Sequence, residues 1–189
     1  MEERTGETGW LDLAGFQQAV SSSFVPLRVT APEPETFRGS VSQTVVAGVS
    51  FTTVLAAPHK VECPTKVERT PELIRNSPRQ FFKVSLAMEG TSRLEQAGRS
   101  VDLEPSDLAI YDTNTPYTLT FDVPFKVVVI QVPHDRFEVP PQLMSRVTAV
   151  RLSGQDGLAR LVSPFLATLG TDHDHIKGTA GTRLAQNAI

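Results

Sequence analysis

Phe81-Phe82-Lys83-Val84-Ser85-Leu86-Ala87-Met88-Glu89-Gly90, followed by Ser92-Arg93-Leu94-Glu95-Gln96 and, after Ala97-Gly98-Arg99, by Ser100-Val101-Asp102-Leu103, is the stretch that decides the fold. Residues of alternating character run for the length of one strand and stop at Glu89-Gly90. They resume, then stop again at Ala97-Gly98-Arg99. Glycine supplies the positive φ of a tight turn, so each stop reverses the chain. The same pattern extends in both directions, with β-branched and aromatic runs separated by turn signals. Eight strands are expected: Thr44–Leu55, Val61–Val67, Phe81–Met88, Ser92–Gln96, Ser100–Leu103, Leu108–Asp112, Tyr117–Phe121 and Phe125–Val132. Glu104-Pro105-Ser106-Asp107 and Asp122-Val123-Pro124 are turns of preset φ and side-chain capping, and Pro133 ends the last strand because it has no N–H to donate. Consecutive antiparallel hairpins of this kind close into a barrel or jelly roll.

The flanks read differently. Asp12 caps a short helix with Leu13, Phe16 and Val20 at helical spacing, and Pro26, Pro32 and Pro34 keep Phe24 to Phe37 extended, over the surface or as an edge strand. After the strands the period changes to 3.6. Ser153 with Asp156 is a capping-box variant, and Leu158, Leu161, Val162, Phe165 and Leu169 form one stripe that ends at Gly170. Pro164 inside it predicts a kink. A second helical start at Thr171-Asp172 runs through Leu184 to Ile189 without a terminator, as a helix cut off would. The expected division is a helix and arm over 1–40, a barrel over 41–140 and a helical region over 141–189.

Composition narrows the function. The 189 residues carry 18 Lys+Arg against 21 Asp+Glu, a net charge of -3, which argues against stand-alone nucleic-acid binding, since affinity for phosphate comes from clustered cations. The single cysteine, Cys63, excludes an internal disulfide and fits a reducing compartment. The N-terminus has neither a basic nor an apolar signal region, and no apolar run is longer than Val127 to Ile130, so a cytoplasmic protein is expected.

The motifs between Val67 and Phe137 also carry a resemblance. Val67-Glu68-Arg69-Thr70, Glu89-Gly90, Gln96-Ala97-Gly98-Arg99, Leu103-Glu104-Pro105-Ser106-Asp107, Asp112-Thr113-Asn114-Thr115-Pro116-Tyr117 and Val132-Pro133-His134-Asp135-Arg136-Phe137 occur in that order. The chain resembles the N-terminal cupin-like effector-binding domain of AraC/XylS-type transcriptional regulators. It departs from the family pattern at Ser106, where glycine is usual. The resemblance implies a mainly β protein, an antiparallel jelly-roll or cupin-like barrel followed by C-terminal α-helices. It also implies a small organic effector in the barrel, a homodimer joined through helices, and DNA binding only through a C-terminal helix-turn-helix domain lying beyond this sequence.

Enzymatic cupins bind a metal through two closely spaced His and a Glu on one hairpin, with a third His later. The corresponding stretch here, Val84 to Tyr117, has no histidine, so no metal, cofactor or catalytic residue is expected. His173-Asp174-His175 has ligand spacing but falls in a loop or first helical turn, and Cys63 precedes Pro64 with no histidine beside it. The positive candidates line a pocket: Val84, Leu86 and Met88 on one strand face, Tyr117, Leu119 and Phe121 on another, together with Tyr111 and Arg69. On the last strand the inward set is either Lys126 and Val128, or Phe125, Val127, Val129 and Gln131. Lys126 pointing inward would favour an anionic ligand. Arg69 either pairs with a carboxylate or bridges strands. Leu158, Leu161, Val162, Phe165, Leu169 and Leu184 are the candidate dimer contact, shared with packing on the barrel. Two rivals remain: a cupin-type enzyme with a non-standard site, and a partner-binding jelly roll with a filled interior.

Overall fold

A computed structural model describes residues 6, 7, 9–31, 33–46, 48–56, 65–69, 72, 75, 80–136 and 141–171. In chain order its elements are β1 (Gly6–Glu7), α1 (Leu13–Ser23), β2 (Arg28–Thr30), β3 (Gly39–Val46), β4 (Val49–Ala56), β5 (Thr65–Arg69), β6 (Phe81–Glu89), β7 (Ser92–Gln96), β8 (Arg99–Leu103), β9 (Leu108–Asp112), β10 (Tyr117–Phe121), β11 (Phe125–Pro133), one 3-10 turn (His134–Arg136), α2 (Pro141–Val147) and α3 (Gly157–Thr171). The strands form two antiparallel sheets, one six-stranded in the order β1-β3-β4-β11-β6-β9 and one five-stranded in the order β2-β5-β10-β7-β8. Strands adjacent in space but distant in sequence, such as β4 beside β11 and β5 beside β10, are what a cupin-like jelly roll requires.

The run expected as one strand over Thr44–Leu55 is a hairpin of two. Gly48 at φ +84 makes the reversal, and the two arms pair from Val46↔Val49 to Gly39↔Ala56. Gly48 is the one turn signal inside a run otherwise rich in β-branched residues, which hid the turn. Asp12 caps α1 as expected, its Oδ1 accepting from the Gly15 N–H at 2.8 Å, and Phe16 and Val20 anchor the helix to the core. The proline-containing arm supplies β2 as an edge strand against β5.

Two apolar clusters hold the molecule together. One lies between the sheets and contains Val41, Val54, Ala87, Leu94, Leu103, Tyr111, Tyr117, Leu119, Phe121, Phe125, Val127 and Val129. The other lies outside the six-stranded sheet, where Val49, Phe51, Leu86, Leu108, Val128, Ile130 and Val132 meet Ala159, Leu166 and Leu169 of α3. At Gly170 the helix comes so close that an added Cβ would fall 2.2 Å from a Val128 methyl, and the Thr53 hydroxyl donates to the Gly170 carbonyl at 2.7 Å. Glycine is the residue that permits this approach.

These clusters settle the phase of the strands. Phe125, Val127, Val129 and Gln131 face the interior, and Val128 faces α3. Lys126, paired with Leu55, also lies on the outer face. Val84, Leu86 and Met88, expected to point inward, point outward beneath α3. Both faces of this sheet are buried, so an apolar phase of the strand is as compatible with packing beneath a helix as with the interior.

Candidate functional site

The interior residues of β6 are Lys83, Ser85 and Ala87, and their neighbours follow from the register. Across the six-stranded sheet one row reads Ser50, Gln131, Lys83, Tyr111 and the next reads Thr52, Val129, Ser85, Ala109. Residues opposite one another in antiparallel strands share a face, so these rows place a band of polar side chains inside the barrel. Ser50, Thr52, Lys83, Ser85 and Gln131 are all buried. Buried polar atoms are costly unless hydrogen-bonded, so such a band is either completed by partners or kept for a ligand.

Lys83 is its charged centre. At 2% exposure its Nζ donates to the Tyr117 hydroxyl at 3.1 Å and sits 4.2 Å from the centroid of the Phe24 ring, a cation–π contact. Tyr117 comes from the opposite sheet and meets Tyr111 edge to face at 4.7 Å between centroids. Burial pushes the Tyr111 phenol well above the ordinary tyrosine range and Tyr117 pushes the same way, against a hydrogen bond from Ser85. Tyr111 therefore remains a neutral phenol at physiological pH. Phe24, at the end of α1, brings the N-terminal segment over this cluster, where Gln43 Nε2 donates to the Ser23 carbonyl at 2.8 Å and to Thr52 Oγ1 at 3.0 Å. The Gln131 Oε1 and Ser50 Oγ atoms, adjacent in the row, have no hydrogen-bond partner among the described residues.

Of the pocket candidates, Tyr111, Tyr117, Leu119 and Phe121 face this interior, with Phe121 stacked on Phe125 at 3.6 Å. Val84, Leu86, Met88, Lys126 and Val128 do not. The backbone of Arg69 pairs with Tyr117, and its side chain lies outside the described residues, as do Leu184, Cys63, His173 and His175. Sequence reading missed Lys83, Ser85, Ser50 and Phe24. The signal was the polar alternate phase of Phe81–Met88, which reads as a solvated face unless a second layer is known to cover the other side.

Among the cavities formed by the described residues, two lie outside the barrel beside its helices. One of about 600 Å³ sits between the six-stranded sheet and α3, lined by Phe51, Val84, Ile130, Leu152, Leu158 and Val162 among others. At its rim Arg151 bridges the Glu104 carboxylate at 2.8 Å and the buried Asp107 carboxylate at 2.7 Å. The other, about 630 Å³, lies beside His134, whose ring stacks on Phe82 and whose Nε2 is 3.0 Å from Asp112 Oδ1. No three His, Cys, Asp or Glu side chains converge on a possible metal position among the described residues. Nor is any helix among them long and apolar enough to cross a membrane.

On α3 the expected stripe divides. Leu169 is buried against the sheet and Val162 packs on the same cluster, so neither is open to a second protomer. Leu158, Leu161 and Phe165 face outward, at 76%, 74% and 38% exposure.

Comparison with known proteins places the chain. Residues 16–189 match the model of the AraC-binding-like domain. An uncharacterized protein in the nit 5′ region of Bacillus sp. (strain OxB-1) is 26% identical over 92% of this chain and 66% of its own length. The transcriptional activator NphR of Rhodococcus is 24% identical over 65% of this chain and 37% of its own. The chain thus spans two thirds or less of these curated relatives. The crystal structure of the AraC-like transcriptional activator CuxR superposes with a TM-score of 0.78 at 15% identity, covering 99% of this chain and 67% of that one.

Proposed function

Since this chain belongs to the AraC-binding-like family, the effector-binding domains of transcription regulators, we propose that it binds a small organic effector between its two sheets, in contact with Lys83, Tyr111 and Tyr117. The observation that carries the reading is a buried lysine among three aromatic rings, at the place where the N-terminal segment meets the barrel. A buried lysine that reaches across to the opposite sheet brings a polar donor into the interior, where a polar or anionic group of a ligand can meet it.

The mechanism follows from position. The strands that carry the polar rows present their opposite face to α3, so an effector that repositions β6 or β11 also bears on the helix. Leu158, Leu161 and Phe165 on its outer side supply the surface for a second protomer. An effector with differential affinity of about 1 to 3 kcal/mol for two arrangements of barrel and helix would bias the spacing of DNA-binding domains in a longer regulator. The function is binding, with no reaction assigned.

The test is Tyr117→Phe in a full-length regulator that contains this chain, read with a promoter reporter and by thermal denaturation. The expected result is a response shifted to at least about tenfold higher effector concentration, as loss of one hydrogen bond to a charged group implies, with the fold retained. An unchanged response curve would refute the site.

A further inference from the structure

α3 meets the six-stranded sheet unevenly along its length. At the C-terminal end they are in contact, with Gly170 against Val128 and the Thr53 hydroxyl donating to the Gly170 carbonyl. Beside the N-terminal half, the cavity of about 600 Å³ lies between Phe51, Val84 and Ile130 of the sheet and Ala159, Val162 and Leu166 of the helix. Its walls are fixed by bonds to the turn and strand beside it. The Ser163 hydroxyl donates to the Ser106 carbonyl at 2.8 Å, and Leu152 exchanges two backbone hydrogen bonds with Leu108, each 2.9 Å long. Interiors that serve packing alone leave few voids larger than a water molecule, whereas this hollow has the volume of a small-molecule site and is formed before any ligand arrives.

The lining decides what fits. Apart from Arg151, Ser153, Asp156 and Gly157 it is apolar, so water inside is poorly held and an apolar body gains affinity by displacing it. The guanidinium of Arg151 is already engaged by two carboxylates, Glu104 at 2.8 Å and Asp107 at 2.7 Å, and Asp156 adds a further negative charge at the mouth. A ligand acid would therefore leave water with no counter-charge to meet it. The Asp156 carboxylate and the Ser153 hydroxyl both accept, which suits an N–H or O–H at the edge of an apolar ring. We propose that this cavity is a second ligand site, separate from the barrel interior, and that it takes a compact apolar molecule that carries no acid group. None of the residues that line it belongs to the polar rows inside the barrel, and α3 is the element its occupant touches.

The experiment is ligand-observed NMR on the 189-residue chain with indole and indoleacetate at up to millimolar concentration, with urea denaturation of each variant alongside. The two compounds share a ring and differ in charge. Indole should bind saturably, and indoleacetate at least about tenfold more weakly because its carboxylate is desolvated without a partner. Ala159→Leu puts added methyl groups into the cavity and should weaken indole at least about tenfold while the urea midpoint holds or rises, since it fills a hollow and breaks no contact. Val162→Phe narrows the same space from the next turn of α3 and replaces the first variant if that one folds poorly. Indole affinity that survives a well-folded filling variant would place the compound elsewhere in the molecule and overturn the proposal. Equal affinity for indoleacetate would overturn the ligand class. No saturable binding of indole would overturn the site itself and assign the hollow to packing against a second protomer.

Discussion

The two faces of the six-stranded sheet are equally buried and differently made. The outer face, beneath α3, is built mainly of Val49, Phe51, Val84, Leu86, Met88, Leu108, Val128 and Ile130, with Thr44 and Thr53 among its polar members. The inner face interleaves Val54, Ala87, Val127 and Val129 with Ser50, Thr52, Lys83, Ser85 and Gln131. Dense apolar packing is the cheapest way to exclude water, so the outer face behaves as scaffold where α3 is seated on it. Polar groups on the inner face raise the cost of the fold and have value only for what they recognise, the usual exchange of stability for function.

The largest expected effect separates the faces directly. Leu86, 1% exposed on the outer face, should lose about 2 to 5 kcal/mol of stability on replacement by alanine, from lost transfer energy and the cavity left behind. Ser85, its neighbour facing inward, should lose about 1 kcal/mol or less on the same replacement. Urea denaturation of both variants measures the contrast. Similar losses would mean that the inner face is packed as tightly as the outer one, and the distinction between scaffold and site would fall.

A smaller effect concerns Tyr111, whose phenol is held neutral by burial. In the unfolded chain the phenol ionises near its ordinary value of about 10. Above that pH the unfolded state releases a proton that the folded state retains, so stability is complete below about pH 10 and falls as pH rises further. The slope attributable to this one proton is about 1.4 kcal/mol per pH unit. Tyr111→Phe should abolish that part of the alkaline loss, at a cost near neutral pH of about 1 kcal/mol or less for the hydroxyl removed. Wild type and variant showing parallel alkaline limbs would mean that the phenol is solvated and the inner face open.

Much of the fold was legible in the sequence because its signals are local. The turns at Glu89-Gly90 and Ala97-Gly98, the cap at Asp12 and the end of β11 at Pro133 each depend on a few adjacent residues. The site was only half legible, because facing is not local. Val84, Leu86 and Met88 alternate with Lys83, Ser85 and Ala87 whichever way the strand is turned, and only the docking of α3, some seventy residues later, fixes which set is inside. The facing of Tyr117 was legible because its strand has one wetter side: Tyr117, Leu119 and Phe121 are buried, whereas Thr118 and Thr120 are half-buried. Lys83 was missed because a lysine in a strand ordinarily marks the wet face, and here both faces are dry.

The smallest expected effect tests how the outer scaffold is fastened. Ser106 stands at φ +78 in the turn Glu104-Pro105-Ser106-Asp107, closed by the Asp107 N–H donating to the Glu104 carbonyl at 2.9 Å. Proline followed by positive φ is a type II turn, which explains why the family prefers glycine at this place. The turn also grips the helical region: the Ser106 carbonyl accepts from the Ser163 hydroxyl of α3 at 2.8 Å, and Asp107 Oδ1 accepts from the Gly154 N–H at 3.1 Å. Both contacts use groups that remain when the Ser106 side chain is removed. A non-glycine residue in this region costs about 1 to 2 kcal/mol, partly offset by the greater freedom glycine brings to the unfolded chain. Ser106→Gly should therefore raise stability by about 0.5 to 1 kcal/mol, read as a higher urea midpoint at unchanged slope, and leave effector response untouched. A gain in stability accompanied by a weaker response would mean that the strain at this turn is part of the coupling between barrel and helix. The outer face would then take part in signalling, and the line between scaffold and site would have to be redrawn through the sheet.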